Sequence, residues 1–369
     1  MDDLCYWIGF SMVPGIGPAR FRALQGYFGG LEEAWNASAA ELREAGLDRR
    51  SIRNLMQWRA RVDLDAVVQR LRSLGVDVLT WDDEAFPSNL KNIYDPPVVL
   101  YVRGELRPED EWALAVVGTR RATVYGKEVT RRIVTGLAQA GVTIISGLAR
   151  GIDAQAHRAA LEAGGRTIAV LGSGVDIIYP PEHRHLAQEI LKAGALVSEY
   201  PLGTKPEASN FPPRNRIISG LSRGVIIVEA GLKSGALITA DYAAEQGRDV
   251  FAVPGSILQR SSAGTNRLIR DGAIPVLDVN DVLEELNLTQ IEVQAEIRAT
   301  VPTDPTEQQL LDLLSANPVH VDEIGRASGL PISVVSSTLA LMELKGLVRQ
   351  VGGMNYVVAR ESGPVYRVD

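Results

Sequence analysis

Residues 224–240 read GVIIVEAGLKSGALITA. Val225 to Val228 form an apolar run of strand length, a glycine-rich turn carries Lys233, Ser234 and Gly235, and a helical pattern begins near Ala236. The run does not alternate with polar residues, as befits a strand buried on both faces. The same punctuation recurs in ALAVVGTRR (113–121), VTIISGLARG (142–151), TIAVLGSG (167–174) and DVFAVPGS (249–256). Helical patterns lie between these runs, among them AQAHRAALEAGG (154–165) and EHRHLAQEILKAG (182–194). Strand–turn–helix alternation predicts an α/β fold over residues 67–288, a mostly parallel sheet with helices on both faces.

The flanks have a different texture. Within residues 1–66, YWIGFSMVPGIGPARFRALQGYFGG (6–30) is a helical pattern broken at Pro14-Gly15-Ile16-Gly17-Pro18, and a second helical hairpin follows at 37–60. VPGIGPARFRAL (13–24) looks like a helix-hairpin-helix, so a helical domain of that or a SAM-like type is expected. The motif offers backbone N–H groups to DNA phosphates, but acidic residues nearly cancel the arginines of 1–66, leaving protein contact equally open. Residues 289–303 lose periodicity and read as a linker. From 304 to 369, three helical segments precede two strands about Gly352-Gly353, the pattern of a winged helix. Its presumptive recognition helix ends in a single basic residue, Lys345, which argues against strong readout of duplex sequence.

The chain has 369 residues, a formal net charge of −7 and one cysteine, Cys5. One thiol excludes an intramolecular disulfide or a CxxC site and fits a reducing cytoplasm. The amino terminus carries Asp2 and Asp3 where a signal peptide needs positive charge, and no apolar run approaches membrane-spanning length. A cytoplasmic location is expected. An acidic chain lacks the general positive field of a nucleic-acid binder, so any polyanion site must be a local patch.

In an open parallel sheet, ligands gather beyond the carboxyl ends of the strands. Gly118, Thr119, Arg120 and Arg121 follow one strand, Ser146, Gly147, Arg150 and Gly151 the next, and Gly172-Ser173-Gly174 a third. Lys233, Ser234 and Gly235 follow VIIVEA. Glycine lets backbone approach a phosphate closely, and helix N-termini favour negative charge. FPPRNRIISG (211–220) gathers Arg214 and Arg216, with Arg223 just beyond. Arginines this close repel, so a multiply anionic ligand or nearby carboxylates must offset them; Glu199 and Glu229 are the carboxylates available. The cradle reading uses Arg120, Arg121, Arg150, Arg214, Arg216 and Lys233 as phosphate donors. Phe211, beside a Pro-Pro turn expected to hold it on a loop, is either a platform for an unpaired base or a core ring. Neither GxGxxG nor a P-loop is present.

Catalytic candidates are few. Asp153 and His157 share one side of a helix, where Asp153 reads as a cap and His157 as a packed or surface residue. His183 and His185 lack the partners of a metal site, Cys5 lacks a histidine, and no serine sits in a GxSxG setting. No catalytic residue, metal or cofactor is expected.

VVGTRRATVYG, IISGLARGIDAQAH, VLGSGVDIIYP, VFAVPGS, FPSNLKNIYDPPVVLYVRG and the 211–240 stretch together resemble the DNA-processing protein A (DprA/Smf) family, densely over about 80–275. The resemblance implies a Rossmann-like domain that binds single-stranded DNA without catalysis. It also implies a homodimer through that domain, protection of incoming strands, and loading of the RecA recombinase during natural transformation or repair. The family's basic pocket maps to Arg120 and Arg121 and to the loop carrying Phe211, Arg214 and Arg216; Lys205, Asn210 and Asn215 nearby are also expected to touch DNA. Some relatives carry a lysine three residues before the phenylalanine; here that position is Ala208, with Lys205 further upstream. The alternative is a nucleotide-hydrolysing enzyme of the lysine-decarboxylase-like kind, similar in its glycine-rich strand ends. Its PGGxGTxxE motif is matched only by KSGALITAD, with Asp241 in place of the acid.

Overall fold

The computed structural model describes residues 3–286, 305–314, 319–344, 348–351 and 354–358. The expected linker 289–303, Lys345 and the Gly352-Gly353 turn lie outside the described residues. The chain forms two compact units, 1–288 and 289–369.

The first unit is built on a nine-stranded sheet: β1 (Val76–Thr80), β2 (Val99–Gly104), β3 (Leu114–Val117), β4 (Ile144–Ser146), β5 (Thr167–Val170), β6 (Gly194–Ser198), β7 (Gly224–Ile227), β8 (Asp249–Ala252) and β9 (Ile274–Pro275). Its spatial order is β1-β2-β6-β5-β4-β3-β7-β8-β9. Seven strands from β6 to β9 are mutually parallel, with Leu114 facing Ile144 on one side and Gly224 on the other. β2 is antiparallel to both β6 and β1, so β1 runs in the direction of the parallel core.

The apolar runs are buried as their composition requires: every residue of β3 and of β7 is buried. Successive side chains of β5 and β6 enter opposite layers. Ile168, Val170, Ala195 and Val197 pack with Ile217, Ile218, Ala236 and Ala240 of the helices Phe211–Gly220 and Gly235–Glu245. Ala169, Leu171 and Leu196 pack with Ala154, Leu186 and Ile190 of the helices Ile152–Glu162 and Arg184–Ala193. Helices therefore cover both faces, and the α/β fold predicted from the sequence is the one observed.

Six helices precede β1, from Leu4–Ser11 to Leu64–Ser73. Their core is aromatic: Trp7 lies 4.5 Å from Phe21 and 5.4 Å from Trp81, and Phe10 lies 5.1 Å from Trp35. The same cluster takes in Val76, Val99 and Tyr101 of β1 and β2. The helix Leu64–Ser73 spans the boundary expected at residue 66.

The second unit is a winged helix. Helices Pro305–Asp312, Val321–Ser328 and Ile332–Leu344 enclose Leu310, Ile324, Val335, Leu339 and Met342, with a sheet of β10 (Val319–His320), β11 (Val348–Gln350) and β12 (Asn355–Val358). Among the described residues no single helix is long and apolar enough to cross a membrane.

Candidate nucleic-acid interface

From β3 the chain winds outward through β4, β5 and β6, and from β7 it winds the other way through β8 and β9. The loops leaving β3 and β7 therefore diverge, and a crevice opens beyond their carboxyl ends, the place where doubly wound sheets bind ligands. A cleft of about 720 Å³ lies there. One wall is Gly118–Arg121 after β3, the other Gly231 and Lys233–Gly235 after β7. The start of the Phe211–Gly220 helix and Tyr179 complete it.

Buried Glu229, just past β7, fixes the loop carrying Arg120 and Arg121 at both ends. Its carbonyl accepts the Thr119 N–H at 2.7 Å, and its carboxylate accepts the Thr123 N–H at 2.9 Å and hydroxyl at 3.3 Å. Glycine is required around this clamp, because a Cβ on Gly126 would strike the carboxylate. Gly151, at φ +79°, passes against the Thr119 and Arg120 backbone where any side chain would collide. The loop thus presents Arg120 and Arg121 outward. Both are exposed, as is Lys233 across the cleft, and among the described residues no carboxylate lies within ion-pair distance of the three.

Phe211 is not on a loop. It opens the helix Phe211–Gly220, with Pro212 and Pro213 in the first turn, where a missing N–H costs nothing. The ring is half-buried against Gly172, where a Cβ would come within 2.9 Å of it. The Arg120 guanidinium lies 5.4 Å from its centroid, that of Arg214 5.8 Å, and the Tyr179 ring 5.7 Å. Sequence reasoning missed Tyr179. Its signal was an aromatic directly before the Pro-Pro of DIIYPP, at the end of a strand-end loop.

The two arginines of this helix split the alternatives. Arg216 is no phosphate donor: it is buried and paired with Glu199 through two bonds, 3.1 and 2.7 Å, and with Asp95 at 3.3 Å. Burial lowers its pKa, but Glu199 and Asp95 outweigh that and hold it above the ordinary arginine value; burial pushes Glu199 up. Arg214 touches the cleft yet is also buried. It donates to the Gly147 carbonyl at 3.0 Å and to that of Val170, bracing the ends of β4 and β5. Burial lowers it to about 10, so it remains a cation at neutral pH. Asp153 faces it, its carboxyl raised by burial against the opposing pull of Arg214 and of backbone amides.

Asp153 is not the expected cap. The N-cap position is Gly151, without a side-chain bond, and Asp153 instead accepts the Gly147 N–H at 3.2 Å. Of the remaining expected residues, Asn215, Ser234 and Gly235 line the cleft. Ser146 does not; it is buried, its hydroxyl donating to Val116. Gly147 leaves room for the Arg214 and Asp153 side chains, Gly151 for the Thr119–Arg120 backbone, and Arg150 turns outward to pair with Glu182 at 2.5 Å. Lys205 is exposed and is not itself a lining residue, although its neighbour Pro206 and Ala208 are. Asn210 donates to the Gly172 carbonyl at 3.2 Å, holding two rim loops together. His157 is packed, His183 is buried and bonded to the Leu148 carbonyl at 2.8 Å, and His185 is exposed beside Glu189. Arg223 stacks 3.7 Å over Trp112, outside the cleft. Asp241 lines a neighbouring cavity with Arg267 and Asp271, not this one.

A model of the DNA recombination-mediator protein A family matches residues 77–287, and a DprA winged-helix model matches 294–354. Protein Smf of Synechocystis is 38% identical, over 96% of this chain and 98% of its own. DNA processing protein A of Streptococcus pneumoniae, solved by X-ray, superposes with a TM-score of 0.66 at 36% identity, over 77% of this chain and 98% of that one. DNA processing protein A of Helicobacter pylori, whose structure was described for its single-stranded DNA binding mode, superposes with a TM-score of 0.52 at 33% identity, over 57% and 95%. A sheet wound about this cleft, a winged helix and these likenesses lead to one conclusion: the chain belongs to the DprA/Smf family of DNA recombination mediators.

Proposed function

We propose that this protein binds single-stranded DNA along the carboxyl rim of its sheet and passes the protected strand to the RecA recombinase during natural transformation or repair. It acts by binding, breaks no bond, and works in the cytoplasm as a homodimer. Its solved relative from Helicobacter pylori, described as a single-strand binder, supports the substrate. The observation that carries the reading is the pairing of unneutralised Arg120, Arg121 and Lys233 with the half-exposed rings of Phe211 and Tyr179 in one cleft. Cations on both walls suit a phosphate backbone, and aromatic faces suit unpaired bases of any identity. Asp241, the acid the hydrolase alternative would use, lines a neighbouring cavity, not this cleft.

The test is a titration of labelled single-stranded and duplex oligomers. Charge reversal belongs on Arg120 and Lys233, because Arg214→Glu would bury an unpaired charge and confound folding with binding. The Arg120→Glu/Lys233→Glu variant should lose affinity for single strands by about fiftyfold or more. The slope of log K against log salt should shrink by about 1.4, roughly 0.7 for each phosphate that the variant no longer neutralises. Wild-type binding insensitive to salt, or full affinity in the double variant, overturns the reading.

A further inference from the structure

We propose that the exposed arginine face of the helix Arg49–Arg59, together with Arg22, is a second phosphate-binding surface for the strand held in the cleft, an inference that rests on the cleft reading above. The helix reads RRSIRNLMQWR and contains no acid. Ile52 and Leu55 turn into the aromatic core, leaving Arg49, Arg50 and Arg53 exposed on the other side. Among the described residues no carboxylate lies within ion-pair distance of these three.

The near-neutral count of charges in residues 1–66 conceals this. The acids around the helix are already engaged. Asp48 accepts the Arg50 and Ser51 N–H groups at 2.8 Å and pairs with Arg20. Glu41 closes a capping box with Ser38, Glu44 accepts the Tyr27 hydroxyl at 2.9 Å, and Asp63 caps the next helix. Arg59 is likewise engaged, by the Trp35 and Ala37 carbonyls. These acids keep their charge but are held by other groups, which leaves Arg49, Arg50 and Arg53 without a direct ion-pair partner among the described residues.

The fold gains nothing from this arrangement. Arg49 and Arg53 are like charges one turn apart, which repel. Arg49 and Arg50 also occupy the first turn, where the helix dipole favours negative charge. An anionic ligand reverses both penalties. A phosphate backbone fits better than a protein surface, because Met56 is the one large apolar side chain exposed on this helix among the described residues. Protein interfaces gather their energy in buried aromatic and apolar anchors, which this face does not offer.

Contacts place the start of this helix toward the cleft's end of the sheet. Asp48, which starts the helix, pairs with Arg20 of the helix Pro18–Phe28. That helix packs on Trp81, directly beyond the carboxyl end of β1, and Gln25 donates to Asp82 at 3.1 Å. Arg22 stacks 5.0 Å over Trp81. Because β1 runs with the parallel core, its carboxyl end and those of β3 and β7 lie on one edge. The five spacings from β1 to β3 span about 24 Å, at roughly 4.8 Å per strand. A strand leaving the cleft along this rim meets Arg22 and then the arginine helix.

The experiment compares wild type with Arg49→Glu/Arg50→Glu/Arg53→Glu in the full chain, using labelled oligothymidine of about 4 nucleotides, too short to span the distance between the two sites, and of about 40 nucleotides. Glutamate suits Arg49 and Arg50 in the first turn, and Arg53 is exposed, so the variant should fold, and circular dichroism checks this. Affinity for the long oligomer should fall about tenfold or more, and its salt slope by about 2. Affinity for the short oligomer should not change. Equal loss on both lengths, or loss on neither, overturns the proposal; loss on neither leaves an acidic protein as the partner for this face. The short oligomer reports on the cleft alone, so a wild type that fails to bind it sinks the cleft reading, while the long oligomer decides the arginine face.

Discussion

His157 shows how a buried polar residue can be fully determined by its neighbours. Its Nδ1 lies 2.7 Å from the Thr167 hydroxyl, which itself donates to the Ile144 carbonyl at 2.7 Å. The hydroxyl proton is thereby committed, so Nδ1 carries the ring's proton and donates it, and the buried Nε2 is left bare. Protonating Nε2 would place a charge in the core, and burial lowers the pKa from 6.5 to about 3. The folded state is therefore neutral here, while the unfolded chain takes up a proton below about pH 6.5. Stability attributable to this group is intact above that pH and falls by about 1.4 kcal/mol per unit as pH drops toward 3. Replacing His157 with Asn keeps a donor toward Thr167 and removes the titration. Urea unfolding at pH 7.5 and pH 5 should show the wild type losing about 2 kcal/mol more than the variant. Equal losses would mean the ring is solvated or already charged in the fold.

At the level of elements, the site consists of loops held taut by the strands they leave. Glu229 fastens the Arg120–Arg121 loop through both its carbonyl and its carboxylate. Truncating it to alanine should keep the Thr119 bond to its carbonyl yet free the Thr123 end of the loop, weakening single-strand binding about tenfold, or roughly 1.4 kcal/mol. Glu229→Gln, whose amide oxygen can still accept from Thr123, should retain most of the affinity. A fluorescence titration of the two variants decides it, and equal loss in both would point to the charge of Glu229, not its bonds. This clamp was illegible in the sequence, where Glu229 was only one of two acids that could neutralise an arginine. Glu199 took that part, with Arg216, because the strand end of β6 brings it beside the Phe211–Gly220 helix. The strands themselves were legible, since short apolar runs such as LAVV and GVII, each ending in a glycine-rich turn, read as strands buried on both faces. The Pro-Pro pair misled because proline stops a helix internally but starts one comfortably, and sequence alone did not say which.

For the molecule as a whole, the strand order decides where the cleft falls, and that order follows from non-local pairings no local pattern reveals. The expectation that ligands gather at strand ends was general; that the cleft falls between β3 and β7 required the topology. Once it is known, the candidate site lies within one unit. The winged helix has its own core of Leu310, Ile324, Val335 and Leu339, whereas the cleft is lined by residues of the first unit. That first unit likewise encloses its own apolar clusters, from the aromatic helices to the two faces of the sheet. A chain ending at residue 288 should therefore fold cooperatively and bind a short single strand within about threefold of the full protein, a difference under about 0.7 kcal/mol. A chain of residues 304–369 should bind the same strand far more weakly. Polarisation measurements on both pieces would separate the possibilities: if the first loses its affinity and the second keeps it, the polyanion site lies on the winged helix and the arginines of the central rim serve the fold alone.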